Sequence, residues 1–154
     1  MARFTHPNID PINVSPIDDS LVTSTIHTYA PTWSGTGLTF TGTPATGSYI
    51  KIGNIVLVQI DVVYTTVTNF GTGQYSLTLP FASKFHTDVY GGSAHDTSPT
   101  LTHYSLKGHL TPGTVGMTLW QHAGSSADSP MKSNVPFNAT TVDKFHMSFS
   151  YICE

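Results

Sequence analysis

The chain has few of the residues that build helices or carry charge. Its 154 residues include one Glu, three Gln and eight Ala, and these residue types are among the better helix formers. Charged residues make up 10% of the chain, whereas about 25% is typical of soluble domains. The composition therefore argues against a helical fold, and the formal net charge of −3 provides little electrostatic steering of a partner.

Cysteine, basic residues and long apolar runs are also scarce. The single cysteine, Cys153, excludes an intrachain disulfide and a cysteine-based zinc site. Six Lys and Arg residues are too few for a strong phosphate-binding face, so we expect no nucleic-acid partner. No apolar run approaches about 18 residues, so we expect no membrane span. No apolar segment typical of a secretory signal follows the first residues, which favours synthesis in a reducing cytoplasm.

Threonine, serine, glycine and proline are abundant instead. There are 24 Thr, 16 Ser, 13 Gly and 10 Pro; threonine favours strands, and glycine and proline mark turns. Short segments in which apolar and polar residues alternate recur from residue 29 onwards, which is typical of antiparallel sheets packed face to face. The predicted strands are 36–41, 48–52, 55–66, 74–79, Thr102–Leu110, 114–121 and 145–153.

These patterns predict an all-β fold, an antiparallel β-sandwich of jelly-roll type over residues 29–154. Residues 1–28 differ, because recurring prolines interrupt regular structure while several positions are apolar. We interpret this stretch as an extended N-terminal arm that lies on a partner or on a neighbouring subunit; a disordered tail is the alternative. The apolar residues of the arm that we expect to make this contact are Ile9, Ile12, Val14 and Ile17.

The centre of the predicted sheet lies near residues 53–66. Gly53 and Asn54 separate two strand-like runs, which predicts a two-residue hairpin of type II′. The segment 55–58 is apolar at every position, so we expect a central strand that is covered on both faces. Residues 82–100 and 121–141 carry turn-forming residues and are interpreted as loops.

Eight histidines raise the question of a metal site. His103 and His109 share one face of a predicted strand, but six residues of extended chain separate them by about 20 Å. They cannot bind one ion within a chain, so we predict no metal and no cofactor, and interpret both as ligand or interface residues. No G-x-S-x-G motif is present, and no carboxylate pair is set in a motif, so we do not expect an enzyme.

Most aromatic residues fall on the apolar face of a predicted strand. Trp120 lies on the opposite face from its apolar neighbours, and Tyr90 lies in a predicted loop. Exposed aromatic rings can stack on sugars, so these two residues are candidates for a ligand or subunit interface. A free carbohydrate-binding module is one alternative that follows from them.

Three segments follow one another at short spacings: 29–33 (YAPTW), 47–58 (GSYIKIGNIVLV) and 71–80 (GTGQYSLTLP). Together they resemble a β-sandwich module that is common in virion proteins of tailed bacteriophages, where it occurs in head-decoration, head-fibre and minor tail proteins. The resemblance covers roughly residues 29–80 and implies an assembly or adhesion protein, usually trimeric, without catalytic residues.

The resemblance leads to two functional hypotheses. The first is a capsid decoration protein, made in the host cytoplasm, that binds the major capsid protein on the virion surface as a homotrimer. The second is a minor tail or tail-fibre tip protein that recognises a host surface glycan. Only 28 residues precede the module, whereas tail fibres usually carry a long shaft there, which favours the first hypothesis.

Overall fold

The computed structural model of the chain describes residues 25–97, 101–123 and 127–154, and most of these residues lie in strands. Tyr64–Thr66 forms the one helical turn among them, and no described helix is long and apolar enough to cross a membrane. The strands are β1 (His27–Tyr29), β2 (Trp33–Ser34), β3 (Leu38–Phe40), β4 (Ala45–Ile52), β5 (Ile55–Val63), β6 (Val67–Phe70), β7 (Ser76–Thr78), β8 (Thr87–Asp96), β9 (Thr102–Leu110), β10 (Gly116–Gln121), β11 (Ser129–Pro130) and β12 (Lys144–Ile152).

Ten of these strands form one antiparallel sheet. Its order is β1-β4-β5-β12-β8-β9-β10-β7-β2, and β11 pairs with β10. Strands β3 and β6 form a separate two-stranded sheet. The prediction of an all-β, antiparallel, sandwich-like fold is therefore confirmed.

The large sheet curls back on itself, so that its edge lies over its middle. Trp33 belongs to the edge strand β2, yet its ring is 5.8 Å from that of Phe145 in the central strand β12. It also stacks on Tyr64 at 5.1 Å and meets Tyr75 edge-on at 5.1 Å. These four side chains are buried, and such contacts add to the hydrophobic gain of burial. One aromatic cluster thus joins the β2 edge of the sheet to its centre.

Alternation along the central strands places one face in the core. In β5 the buried residues alternate with exposed ones, and β12 follows the same pattern. Cys153, directly after β12, is buried and unpaired, and its backbone N–H donates to the carbonyl of Asn54. The buried residues contributed by β5 and β12 are Val56, Val58, Ile60, Val62, Phe145, Met147, Phe149 and Tyr151.

The predicted hairpin at residues 53–54 is present between β4 and β5. Gly53 has a positive φ of 58°, whereas Asn54 does not, which agrees with a type II′ turn and its glycine at the first central position. The hairpin pairs β5 with β4, and β12 pairs with the other edge of β5, so the predicted central position is confirmed. The prediction that this strand is covered on both faces is wrong, because Ile55 and Leu57 point outward and are 47% and 44% exposed.

The loop prediction for residues 82–100 is wrong, because Thr87–Asp96 forms the ten-residue strand β8. Gly91 and Gly92, which are among the turn-forming residues of this stretch, allow close packing of strands instead. Gly91 has a φ of 122° at a register shift between β8 and β9. A Cβ on Gly92 would collide with the Met147 side chain of β12.

The predicted arm lies almost entirely outside the described residues. Ile9, Ile12, Val14 and Ile17 belong to residues 1–24, which the structure does not describe. Strand β1 begins at His27, two residues before the boundary expected from the sequence. The regular part of the molecule therefore extends slightly into the stretch assigned to the arm.

A buried carboxylate, Asp143, closes the end of the molecule before β12. It accepts hydrogen bonds from the backbone N–H groups of Thr97 and Thr140, at 2.8 and 2.7 Å, and from both of their hydroxyl groups. These bonds satisfy the carboxylate away from water. Asp143 thus joins the end of β8 to the segment that leads into β12, a role that no sequence pattern indicated.

Candidate functional site

A row of polar and charged side chains crosses the outer surface of β8 and β9 and continues to the residues that follow β10 and precede β11. Lys107 of β9 is at its centre, with a side chain only 14% exposed. Its ammonium group donates to Asp88 at 2.9 Å and to Asp128 at 2.7 Å. We call this row the charged ladder; its members are His86, Asp88, Lys107, His109, His122 and Asp128.

One end of the charged ladder is a hydrogen-bonded histidine pair. Asp88 and His109 are direct partners on β8 and β9, and the His109 Nδ1 donates to the Asp88 carboxylate at 2.7 Å. A carboxylate can only accept, so in neutral His109 the proton is on Nδ1 and Nε2 has a free lone pair. The Nε2 atoms of His86 and His109 are 2.8 Å apart, and the N–H of His86 donates to this lone pair.

The other end of the charged ladder holds the chain after β10. The Asp128 carboxylate accepts from His122 Nδ1 at 3.0 Å and from the Ala123 backbone N–H at 3.2 Å. The His122 ring packs edge-on against Tyr90, with ring centroids 5.4 Å apart. The ladder therefore fixes residues on both sides of the stretch 124–126, which lies outside the described residues.

The ion pairs of the charged ladder shift the pKa values of its members. Hydrogen bonding to Lys107 is the main cause that lowers the pKa of Asp128 to about 2. Hydrogen bonds from His109 and then Lys107 lower the pKa of Asp88. The two carboxylates raise the pKa of Lys107, Asp128 having the larger effect. All three groups are therefore charged at neutral pH, and the sum over them is one negative charge.

Two aromatic residues flank Lys107 in the charged ladder. Tyr90 and Trp120 are its direct cross-strand partners, on β8 and β10 respectively. Tyr90 is 56% exposed. Trp120 is half-buried; its Nε1 donates to the Thr118 hydroxyl at 3.2 Å, and the Lys107 ammonium lies 6.0 Å from its ring centroid. The arrangement combines aromatic surface with fixed carboxylates.

A second group of histidines lies farther along the same two strands. His103 of β9 faces His95 of β8, with ring centroids 4.3 Å apart, and His146 of β12 is 5.3 Å from His95. Burial is the main cause that lowers the pKa of His95, followed by the charges of His103, His146 and Lys144. Among the described residues, no three potential ligands are arranged to hold a metal ion.

This second group also contains a serine–histidine contact. The Ser93 hydroxyl is 2.8 Å from the His95 Nε2. Asp96 follows in sequence, but alternation along β8 directs it to the opposite face from Ser93 and His95. The adjacent letters Ser, His and Asp therefore do not form a catalytic triad here.

A different part of the surface is apolar. On the outer side of β1, β4, β5 and β12, six aliphatic side chains lie next to one another, and cross-strand pairs join Ile50 to Leu57 and Ile55 to both Ile52 and Ile152. None of these six positions carries a charge. We call this surface the apolar face; its members are Ile26, Ile50, Ile52, Ile55, Leu57 and Ile152.

The exposure of the apolar face is high for aliphatic side chains. Ile26 is 67% exposed, Ile52 is 50% exposed and Ile152 is 37% exposed. Shallow grooves run on both sides of Leu57 and Ile55, one between Ile26 and Ser150 and the other between Ile55 and Phe85. Large exposed apolar patches are uncommon on monomeric soluble proteins and are typical of interaction surfaces.

Comparison with known proteins identified no relative of this chain. No family model, curated protein or solved structure matches the chain. The apolar face and the charged ladder are therefore interpreted from their own geometry and chemistry.

The structure brings together three of the residues singled out in the sequence. Tyr90, Trp120 and His109 all border Lys107 or its partner Asp88. His103 is six residues away along β9, in the second histidine group, so the prediction that His103 and His109 cannot share one ion agrees with their positions. The remaining members of the charged ladder, His86, Asp88, Lys107, His122 and Asp128, were not predicted as one site.

Proposed function

We propose that this protein is a structural subunit of a tailed-phage particle, which decorates the capsid surface as a homotrimer. The observation that carries the proposal is the apolar face, whose aliphatic side chains form a continuous uncharged surface. Permanent interfaces between subunits are more apolar than transient ones. The resemblance of residues 29–80 to phage virion modules supports the same class of protein.

The mechanism is burial of surface. Each aliphatic side chain that is fully covered contributes about 1.5–3 kcal/mol, so several of them across copies of the chain can hold a trimer together. In this proposal the apolar face joins the three subunits, and the arm, through Ile9, Ile12, Val14 and Ile17, binds the major capsid protein. Such contacts, repeated around the shell, connect neighbouring capsid subunits and thereby resist the outward pressure of packaged DNA.

Light scattering on the purified protein tests the self-association step. We expect a mass of about three times 16.6 kDa, and we expect Leu57→Asp to shift it to that of a monomer, because a charge would then be buried in the interface. Val142→Asp is the matched control, since Val142 is 60% exposed and lies outside the apolar face. A wild-type monomer at micromolar concentration contradicts a trimer formed in solution.

Removal of residues 1–20 tests the attachment step. We expect the shortened protein to remain folded, because the described core residues begin at Trp33. It should no longer sediment with purified capsids, whereas the full chain should do so and raise their resistance to heat. Unchanged binding to capsids contradicts the role of the arm.

A second candidate function is recognition of a host surface glycan, favoured by the position of Tyr90 and Trp120 beside the carboxylates of the charged ladder. In that case Tyr90→Ala and Trp120→Ala should abolish adsorption of the particle to cells and leave its heat stability unchanged. The decoration proposal predicts the reverse, with particle stability lost when the protein is absent and adsorption retained.

A further inference from the structure

In place of the expectation from the sequence that no metal binds, we propose that the His86–His109 pair is a binding site for a divalent transition-metal ion of the zinc type. The two Nε2 atoms face each other at 2.8 Å, and imidazole nitrogen is a preferred ligand of such ions. This inference concerns a different part of the surface from the apolar face and does not depend on the decoration function.

Asp88 prepares His109 to act as a ligand. By accepting the Nδ1 proton of His109 at 2.7 Å, the carboxylate fixes the tautomer in which the Nε2 lone pair points towards His86. Histidine ligands of metals usually donate their second N–H to a carboxylate or carbonyl in this way, which also makes the ligand more basic. Asp88 is thus a positioning residue rather than a ligand.

The geometry around the pair requires a small adjustment. A tetrahedral ion with metal–nitrogen distances of about 2.0–2.1 Å separates two nitrogen ligands by about 3.3–3.4 Å. The His86 and His109 Nε2 atoms must therefore move apart by about 0.5 Å. His86 is exposed and precedes the first residue of β8, so its ring can move while the paired strands hold His109. No net proton is lost, because neutral His86 can carry its proton on Nδ1 when Nε2 binds the ion.

The local charge and access also favour a cation. Asp88 and Asp128 carry two negative charges against the single positive charge of Lys107, so the charged ladder retains one negative charge beside the histidine pair. The side chain of His109 is 37% exposed, so the pair is open to solvent. Two protein ligands leave coordination positions for water or for a side chain of a neighbouring molecule.

Equilibrium dialysis of the full chain against Zn²⁺ at pH 7.5, followed by metal analysis, tests this proposal. We expect wild type to bind one equivalent, and we expect His86→Ala and His109→Ala each to bind it at least about tenfold more weakly. Asp88→Asn should weaken binding by about 10–100-fold, the usual effect of removing such a partner. His103→Ala, in the second histidine group, is the matched control and should retain this equivalent.

A second measurement keeps the test decisive where a variant folds poorly. Zn²⁺ should protect His86 and His109 of the wild-type protein from modification by diethyl pyrocarbonate, while His27 remains reactive. Wild-type protein that binds no Zn²⁺, variants at His86 and His109 that bind as tightly as wild type, or protection confined to other histidines would each overturn the proposal.

Discussion

At the scale of single residues, Asp128 connects the charge of the ladder to the stability of the molecule. Its carboxylate receives three hydrogen bonds, from Lys107, His122 and the Ala123 backbone, and its pKa falls to about 2 from an ordinary value of 3.8. The folded protein therefore holds the charged form more strongly than the unfolded chain does. The contribution of the Asp128 carboxylate to the free energy of unfolding is therefore complete above about pH 4 and is lost as the pH falls towards 2.

This linkage predicts the behaviour of Asp128→Asn. The variant should have a lower melting temperature than wild type at pH 7, and the difference should shrink as the pH falls from 4 to 2, because wild type then loses the contribution that the variant never had. Melting curves at pH 7, 4 and 2 measure the effect. Asp61→Asn, on β5 and outside the charged ladder, is the control and should differ from wild type by less than about 0.5 kcal/mol at pH 7. A difference at Asp128 that is independent of pH contradicts the linkage.

At the scale of elements, strand β8 depends on glycine in its middle. Gly91 has a φ of 122°, in a region that side chains rarely adopt, and an added Cβ would collide with the Ser148 carbonyl of β12. The absence of a side chain thus lets β8 bulge and still pair with both β12 and β9.

Gly91→Ala should therefore lower the free energy of unfolding by about 1–3 kcal/mol or more, the usual cost of a strained backbone position. Gly116→Ala is the matched control, because a Cβ on Gly116 meets no atom within 4 Å and its φ is not positive. Chemical denaturation of both variants measures the difference. Equal stability of the two variants would show that β8 tolerates a side chain at the bulge.

The elements also show what the sequence could predict. Strand β9 has the predicted bounds, and the hairpin at Gly53 and Asn54 is correct, because alternation and turn residues are local signals. Strand β8 was missed because its glycines serve contacts with β12, which is more than 50 residues distant in sequence. The histidine pair was missed for a related reason: His86 and His109 meet through the register of two strands, and no single-strand pattern encodes that register.

At the scale of the whole molecule, the curl of the sheet packs its β2 edge against its central strands in one core. Trp33, at the edge, contacts residues of the central strands, so the edge cannot separate without opening the aromatic cluster. We therefore expect the described part of the chain to unfold as one cooperative unit. The variant Trp120→Phe leaves Trp33 as the single tryptophan and makes its fluorescence a report on this junction.

In that variant, the urea midpoints measured by tryptophan fluorescence and by far-UV circular dichroism should coincide. The circular dichroism signal reports on all strands, whereas the fluorescence reports on the contact between the edge and the centre. A fluorescence transition at a lower urea concentration than the loss of strand signal would mean that the sheet uncurls before it unfolds.

The reactivity of the buried Cys153 thiol can be used to measure local opening at one end of the fold. Because it is the single cysteine of the chain and is shielded directly after β12, a thiol reagent can reach it only when that end opens. The labelling rate of the unmodified protein therefore reports how often the terminal strand detaches. Cysteines introduced on the surface for fluorescent or spin labels should react far sooner, so the native thiol need not be removed first.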